Sequence, residues 1–200
     1  MTPDSNDETC RPAAIDASQM SDEQSLAAAV NEPVALCAHD PAWAQAFELE
    51  RDRLRALLPG AFVAIEHIGS TAVPGLAAKS IIDIMAAVES LEGVETLIER
   101  LCDNGYTTSA EFNASLTNRK WLMRWRDGHR THHLHIVVAE SAQWHDRLAF
   151  RNALRNEPAL ARRYAELKTE LAVRHQDDRE AYTDAKSAFV RAAVLASRRG

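Results

Sequence analysis

FVAIEHIGSTAVPGLAAKSIIDIMAAV, residues 62–88, is the stretch that decides the expected fold of the chain. It predicts a strand that ends near His67, a loop that contains glycine, and a second strand that ends at Val88. The second apolar run is rich in β-branched residues, as in a strand buried on both faces. Asp83 lies in the middle of this run. Because a buried carboxylate costs free energy unless it is paired or binds a cation, we expect Asp83 to have a functional role.

The loop between these strands contains Gly69, Ser70 and Thr71, and this composition favours phosphate binding. A glycine lets backbone N–H groups approach an anion, and the two hydroxyl groups add hydrogen-bond donors. A carboxylate for a metal ion beside a cradle for phosphate is what phosphoryl or nucleotidyl transfer requires. The alternative interpretation is an ordinary β-turn. Gly75 and Lys79 imitate part of a Walker A loop, but their spacing is wrong and the segment leads into a strand, so we reject that motif.

Further motifs lie on both sides of this stretch. The segment EHIGSTAVPGLAAKSIIDI, residues 66–84, is preceded by HDPAWAQAFELERDRL and followed by HLHIVV, LAFRNALR and YTDAKSAFV. Taken together, these motifs resemble the signature of the GrpB family (the UPF0157 proteins), a branch of the nucleotidyltransferase superfamily. The resemblance covers residues 33–196. It implies an α+β fold with a nucleotidyltransferase-like mixed β-sheet, flanking helices, a C-terminal helical segment and a glycine–serine loop for a nucleoside triphosphate.

The composition indicates one globular domain preceded by a tail. The chain has 200 residues, of which 46% are hydrophobic, and this is enough for a core. Residues 1–33 are acidic and contain few large apolar side chains, so we expect a disordered acidic tail there and a GrpB-like, nucleotidyltransferase-like domain at residues 34–200. The net charge of −6 gives no strong nucleic-acid signal.

The cysteines and the hydropathy pattern concern the location of the protein. Cys10, Cys37 and Cys102 are scattered without a metal-binding spacing, which indicates a compartment that keeps thiols reduced. No apolar run approaches the roughly 20 residues that a membrane span needs. The N-terminus does not resemble a secretory signal. We expect a cytoplasmic protein with no membrane partner.

Local signals predict the other elements. Asp40 and Pro41 are typical of a helix start, and the helix is expected to run to about residue 58. The pattern predicts a hairpin from residues 120–126 and 133–139, with a turn at Asp127–Gly128. Residues 141–197 are expected to be helical.

Asp83 is the first candidate catalytic residue and metal ligand. A period of two puts Lys79, Asp83 and Met85 on one side of the second strand. The resemblance implies two acids spaced Asp-x-Asp at this place in active nucleotidyltransferases, but the second position here is Met85. A thioether is a poor ligand for Mg²⁺, which prefers oxygen. The alternative is therefore a protein without catalytic activity, in which Asp83 pairs with Lys79 or an arginine.

Other ligands are available for a metal ion. Glu66 lies beside the loop, and His133 and His135 share one face of the later strand. If that strand lies next to the strand of Asp83, then Glu66, Asp83 and His135 converge on one divalent ion. We expect Mg²⁺ or Mn²⁺, with Zn²⁺ as the alternative because histidine nitrogen suits it better. The competing interpretation is that the histidines are ordinary hydrogen-bonding residues in a wet cleft.

The helical C-terminal region supplies cations. They are Arg147, Arg151, Arg155, Lys168 and Lys186. Arg151 and Arg155 are one helical turn apart, so both can face one ligand, and guanidinium groups bind phosphate through two hydrogen bonds. Because motifs around Arg151 and Lys186 recur in the resembling family, we select Arg151, Arg155 and Lys186 as phosphate ligands and Lys79 as a further catalytic cation. The alternative for each residue is a solvated basic surface.

These observations favour a nucleotidyltransferase-like protein that binds a nucleoside triphosphate and a divalent metal. It would transfer a nucleotidyl or phosphoryl group to an unknown small-molecule acceptor, and we leave open whether it is an enzyme. The alternative is a non-catalytic nucleotide- or phosphate-binding module. A link to coenzyme A metabolism is also implied, because GrpB-like domains occur fused to dephospho-CoA kinase.

Overall fold

The computed structural model describes residues 21–198, with the backbone alone for Asp22. The elements are α1 (Asp22–Asn31), α2 (Ala42–Leu57), β1 (Ala64–Ile68), β2 (Ile82–Val88), α3 (Glu95–Cys102), α4 (Ala110–Ser115), β3 (Arg119–Arg126), β4 (His129–Val138), α5 (Ala142–Asn156), α6 (Pro158–Arg174), α7 (Arg179–Ala185) and α8 (Ser187–Ser197). A short 3₁₀ turn, Ser70–Ala72, follows β1. Within residues 21–198, no helix has both the length and the apolar character that crossing a bilayer requires.

The sheet has four strands in the order β1-β2-β4-β3. Strands β1 and β2 are antiparallel, β2 and β4 are parallel, and β3 and β4 are antiparallel. Since two parallel neighbours need a long connection, the chain passes through α3, α4 and β3 before β4 returns beside β2. The predicted α+β fold with a mixed sheet, flanking helices and a helical C-terminal segment is confirmed.

The central stretch forms the predicted strand, loop and strand. Ile68, the last residue of β1, lies opposite Asp83 near the start of β2, so the loop between them closes over the end of the pair. On β2, Ile82 and Ile84 belong to the core on one side of the sheet, whereas Met85 packs in a separate cluster on the other side. Because side chains alternate along a strand, Asp83 lies on the same side as Met85.

Helix α2 covers the first side of the sheet. Its start follows the predicted signal, since the Asp40 carboxylate accepts a hydrogen bond from the Ala42 N–H at 2.8 Å. Trp43, Phe47 and Leu54 are buried against the sheet. This spacing gives the helix one apolar face, and burial of that face stabilises the layer.

The hairpin of β3 and β4 is confirmed and turns at Asp127 and Gly128. Both residues have positive φ, 52° and 77°, as a tight two-residue hairpin turn requires. The strands place Trp121 opposite His135 and Met123 opposite His133. This register sets which side chains of β3 can reach the side of the sheet that carries Asp83.

The C-terminal helices lie on that second side. The Ser141 hydroxyl caps α5 by accepting a hydrogen bond from the Trp144 N–H. Trp144 packs with Ile68, Met85 and Val137, which come from three neighbouring strands. Helix α5 is thereby held across the sheet, with its charged positions close to the loop after β1.

The structure differs from the expected tail over α1. Ser21 caps this helix, the Ser25 hydroxyl accepts a hydrogen bond from the Gly128 N–H at 2.8 Å, and the Ala29 carbonyl accepts one from Arg130 at 2.9 Å. These partners lie on the hairpin, about a hundred residues away in sequence, so the local composition of the segment did not reveal them. Residues 1–20, the rest of the expected tail, lie outside the described residues.

Candidate functional site

Asp83 lies on the side of the sheet that the C-terminal helices cover, and its side chain keeps contact with solvent. Its side chain is 30% exposed, and its Oδ1 accepts a hydrogen bond of 3.0 Å from His133 Nδ1, the residue directly opposite on β4. Burial raises the pKa of the Asp83 carboxyl, but the His133 hydrogen bond and nearby positive groups outweigh it, so the pKa lies well below its usual range. Asp83 is therefore a permanent negative charge at the site.

The loop after β1 packs directly on this carboxylate. A Cβ at Gly69 would lie 2.3 Å from Asp83 Oδ2, and the φ of Gly69 is +71°. Only glycine satisfies both the close approach and the backbone conformation without strain. The structure thus brings Gly69 and Asp83 together, and their role in phosphate binding stays a prediction.

Lys168 connects the two ends of the loop. Its Nζ donates a hydrogen bond of 3.0 Å to the Ser70 hydroxyl and another to the Ala77 carbonyl. The residue is only 2% exposed, and burial lowers the pKa of Lys168 to about 8. A buried ammonium group costs free energy in its charged form unless an anion lies close to it.

Lys79 and Lys186 meet at the ring of Tyr182. Their Nζ atoms lie 5.3 Å and 3.9 Å from the ring centroid. Burial lowers the pKa of Lys79 to about 8, with a further decrease from Arg179. Burial also lowers the pKa of Lys186 to about 7, and the neighbouring Lys79 adds to this effect. The Asp83 carboxylate partly opposes both shifts.

We call Lys79, Lys168 and Lys186 the lysine cluster. Among the described residues, none of the ion pairs within 4 Å involves a lysine. The cluster therefore holds more positive charge than the nearby Asp83 carboxylate can neutralise. This excess suits a ligand that carries several negative charges.

Thr71 is placed differently from the other loop residues. It is buried, and its hydroxyl donates to the Ile81 carbonyl at 3.3 Å and lies 3.0 Å from His67 Nε2. Since both contacts are within the core, this hydroxyl has a structural role. We therefore do not include the Thr71 side chain in the anion site.

Arg151 and Arg155 extend from α5 to β1 and to the loop after it, respectively. Arg151 Nη1 donates to Glu66 Oε2 at 2.6 Å and to the His67 carbonyl at 2.9 Å, and Arg155 Nε donates to the Ala72 carbonyl at 2.8 Å. Arg155 is exposed and also lines an apolar groove outside the lysine cluster. Both arginines thus have protein partners, and their predicted contact with phosphate is not needed to explain their positions.

The predicted metal ligands share one side of the sheet but do not form a metal site. Glu66 and His135 both lie level with Met85, on the strands to either side of it. The Glu66 carboxylate is paired with Arg151, and Met85 is fully buried where a second acid was expected. The part of the chain that the structure describes contains no group of three or more His, Cys, Asp or Glu residues that could hold a metal ion. The donor set therefore fits a divalent metal poorly, and the metal stays a prediction.

Comparison with known proteins agrees with the fold. A family model described as GrpB protein matches residues 33–195. The chain belongs to the GrpB family. It is 34% identical over 160 residues to the UPF0157 protein YqkA of Bacillus subtilis, an alignment that covers 80% of this chain and 46% of YqkA. It is 43% identical over 154 residues to a UPF0157 protein of Pseudomonas aeruginosa, which covers 76% of this chain and 62% of that protein.

A solved structure supports the same assignment. The crystal structure of the conserved protein GrpB from Enterococcus faecalis matches with a TM-score of 0.74 and 38% identity, covering 82% of this chain and 98% of that one. A dephospho-CoA kinase of Mycolicibacterium paratuberculosis is 31% identical over 119 residues, which is 58% of this chain and 28% of the kinase. The chain spans less than two thirds of the length of YqkA and of the Pseudomonas relative.

Sequence reasoning missed two important contacts in this GrpB-family chain. His133, noted only for sharing a face with His135, is the direct partner of Asp83. Lys168, noted only as one cation among several, reaches the loop at Ser70. The position of Lys168 one turn after the buried Tyr164 on α6 was a usable signal, because residues at i and i+4 share a helix face.

Proposed function

We propose that this GrpB-family protein is nucleotidyltransferase-like and binds the phosphate chain of a nucleoside triphosphate at the lysine cluster, beside Asp83. It transfers a nucleotidyl or phosphoryl group from that nucleotide to a small acceptor. The observation that carries the proposal is the set of three buried ammonium groups that have no close carboxylate among the described residues. Lys168 reaches the loop at Ser70, and the other two lysines meet at Tyr182 within electrostatic reach of Asp83.

The electrostatics favour an anion with several charges. Each lowered lysine pKa means that the positive charge is disfavoured in the ligand-free protein, and a bound phosphate chain removes this penalty. Ammonium groups bind phosphate as point charges with three donors. The Ser70 hydroxyl accepts a hydrogen bond from Lys168 and also hydrogen-bonds with Tyr164, so this end of the loop is held beside the Lys168 ammonium group.

The same charges suit the chemical step. Negative charge spreads over the phosphate oxygens when phosphorus is attacked, and pre-positioned cations stabilise that charge without reorganisation. Lys79 and Lys186 are held against Tyr182, and Lys168 is held by the loop, so all three are fixed before the ligand arrives.

A second candidate is a binding module without catalytic activity. The specific observation in its favour is that Met85 is buried at the position of the second acid while Glu66 is paired with Arg151. Coenzyme A and its precursors contain a nucleotide with phosphate groups, so a ligand of that class would meet the same lysines. The dephospho-CoA kinase relative makes this class worth including in the test.

The substitution Asp83→Asn tests whether Asp83 acts on a bound nucleotide through a divalent ion. Isothermal titration would measure the affinity for ATP with Mg²⁺ and with a chelator. If Asp83 acts through a divalent ion, the variant should bind ATP–Mg²⁺ about tenfold more weakly than wild type. If no metal takes part, the variant should bind ATP more tightly, because a negative charge next to the phosphates has been removed.

The control is Glu48→Gln on the opposite side of the sheet, which should leave ATP affinity unchanged. Dephospho-CoA serves as the second ligand in the same titrations. The proposal would be contradicted if the wild-type protein bound no nucleoside triphosphate with a Kd below about 1 mM under any of these conditions.

A further inference from the structure

A group of buried side-chain nitrogens without hydrogen-bond partners among the described residues lies near Asp83 on the same side of the sheet. In residues 21–198, four buried side-chain nitrogens that lack a hydrogen-bond partner come from residues close to each other: Arg119 Nε, His133 Nε2, His135 Nδ1 and Arg147 Nε. Buried polar atoms are almost always paired with protein or water. A local concentration of unpaired buried nitrogens, with the two arginine Nε–H groups as donors, therefore points to a ligand.

The sheet register explains why these residues converge. His133 and His135 are alternate residues of β4 and face the same side. Arg119 on β3 lies opposite Val137, the next residue of β4 on that side. Arg147 reaches the group from α5, one turn before Arg151, which contacts β1. Strand and helix thus bring two guanidinium groups to one place.

The group has no acid of its own. Within the described residues, neither Arg119 nor Arg147 has a carboxylate within 4 Å. Burial lowers the pKa of Arg147 to about 10, with a further decrease from the nearby Arg119. His135 is only 9% exposed, and burial together with Arg147 keeps its pKa well below the usual value, so its ring is neutral. Two partly buried like charges without a carboxylate in direct contact are costly.

This group is separate from the lysine cluster. The lysines contact the loop after β1 and the ring of Tyr182, whereas the arginines come from β3 and from the first half of α5. Both groups lie within electrostatic reach of Asp83, because its charge acts on Lys79 and on Arg147. Their side chains come from different elements of the fold, so each group can hold an anionic ligand of its own.

We infer that Arg119, Arg147 and His135 form a second anion subsite, which holds a carboxylate or phosphate group of the acceptor. The inference rests on the proposed function, in which the lysine cluster holds the nucleotide. Guanidinium groups bind both anions through paired hydrogen bonds, and the His135 ring adds a neutral donor. The acceptor is therefore an anionic small molecule, whose reacting group would lie near Asp83.

Binding of inorganic phosphate in the presence of a saturating, non-hydrolysable ATP analogue tests this inference. Isothermal titration should detect one phosphate bound in addition to the analogue. The variants Arg147→Gln and Arg119→Gln should each weaken phosphate binding about tenfold and change the analogue's Kd by less than about threefold. Lys186→Met should do the reverse. Succinate, titrated in the same way, shows whether carboxylate or phosphate is the better ligand.

Two results would overturn the inference. Phosphate that displaces the analogue would show a single site, as would arginine variants that weaken both ligands equally, and the proposed function would then stand without the second subsite. If the wild type fails to bind the analogue, the proposed function fails. In that case, phosphate binding to the free protein that is lost in Arg147→Gln but kept in Lys186→Met still supports the subsite. Arg147→Lys, which keeps the charge, is the second variant if Arg147→Gln does not fold.

Discussion

Two acidic side chains lie on opposite sides of the same sheet, and they are treated very differently by their surroundings. Glu50 lies on the buried face of α2 and is 4% exposed, whereas the Asp83 side chain is 30% exposed under the C-terminal helices. Both carboxyl groups have a lowered pKa. The difference lies in how the neighbouring positive charges are used.

Every partner of Glu50 is engaged. Its oxygens accept hydrogen bonds from Arg53 at 2.7 Å, from Arg124 at 2.5 Å and from the Tyr106 hydroxyl at 2.7 Å. These contacts tie α2 to β3 and to the segment before α4. Both guanidinium groups and the Tyr106 hydroxyl bind the one Glu50 carboxylate directly, so the network needs no ligand.

Among the described residues, Asp83 has one direct hydrogen-bond partner, His133. The lysine cluster, Arg119 and Arg147 lie near it and form no ion pair with a carboxylate in that part of the chain. These lysines and arginines are kept in the ligand-free protein at a cost, as their lowered pKa values show. The comparison teaches that a closed network serves stability, whereas an excess of one charge marks the place where a ligand completes the structure.

The largest effect on stability is expected from breaking the closed network with Glu50→Gln. Removing the charge leaves the partly buried Arg53 and Arg124 without their carboxylate, which should lower the free energy of unfolding by about 2 kcal/mol after allowance for their exposure to solvent. Urea denaturation measures this change, with the exposed Glu48→Gln on the same helix as a control that should show almost none. Because the pKa of Glu50 is lowered, the difference from wild type should shrink as the pH falls below 4.5. An equal effect of both variants would show that the network is not stabilising.

The next effect concerns the contact between the loop and Asp83. Gly69→Ala would add a Cβ that clashes with Asp83 Oδ2, whereas Gly75→Ala in the same loop has a similar φ of +76° and nothing within 4 Å. Both variants carry the backbone strain of about 1 kcal/mol, so the additional loss in Gly69→Ala reports the contact itself. Thermal denaturation and ATP titration should both separate the two variants. Equal stability and equal affinity would show that the loop does not need to touch Asp83.

A smaller effect of opposite sign is expected from Lys186→Met. The pKa of Lys186 is about 7 in the folded protein against 10.5 normally, so the buried charge destabilises the fold at and below neutral pH. The variant should therefore raise the free energy of unfolding by about 1 kcal/mol near pH 7, after allowance for partial exposure. This gain should fade as the pH rises toward 10.5, because the unfolded chain then also loses the proton. A variant that is less stable than wild type would show that Lys186 has a structural partner.

The smallest effect is a proton taken up with the nucleotide. A bound phosphate chain raises the pKa of Lys186 above its ligand-free value of about 7, so binding is strongest below that pH and weakens as the pH rises through it. Titration calorimetry at pH 8 in two buffers of different ionisation enthalpy should give uptake of up to about one proton. The uptake should be reduced in Lys186→Met and kept in Glu50→Gln. A binding enthalpy that is independent of the buffer would contradict this coupling.

Several parts of the site were accessible from sequence because their signals are local. The alternation of β2 placed Asp83 and Met85 on one side of the sheet, although Lys79 lies before the strand begins, and the loop composition placed Gly69 near the acid. Other parts were not accessible, since their partners are distant in sequence. His133 meets Asp83 over 50 residues, and Lys168 meets Ser70 over 98 residues. Strand register and helix packing determine which distant residues come into contact, and neither can be predicted from a single sequence.

The predicted metal site also depended on a contact between residues that are distant in sequence. Glu66, Asp83 and His135 were placed correctly on one side of the sheet, yet Glu66 is paired with Arg151 from a helix 85 residues later. The segment of α1 was expected to be disordered because its composition is polar, but contacts with the hairpin order it. In both cases the deciding contact is tertiary.

The sequence by itself determined the strand–loop–strand unit, the hairpin, the helical C-terminal region and an acid within an apolar strand. Periodicity, turn residues and helix caps act over a few residues, so they can be interpreted without coordinates. Only the tertiary structure decided which cations surround that acid and which of them are left unpaired. That outcome depends on how helices dock across the sheet, because charge balance at a site is a property of side chains that meet in space.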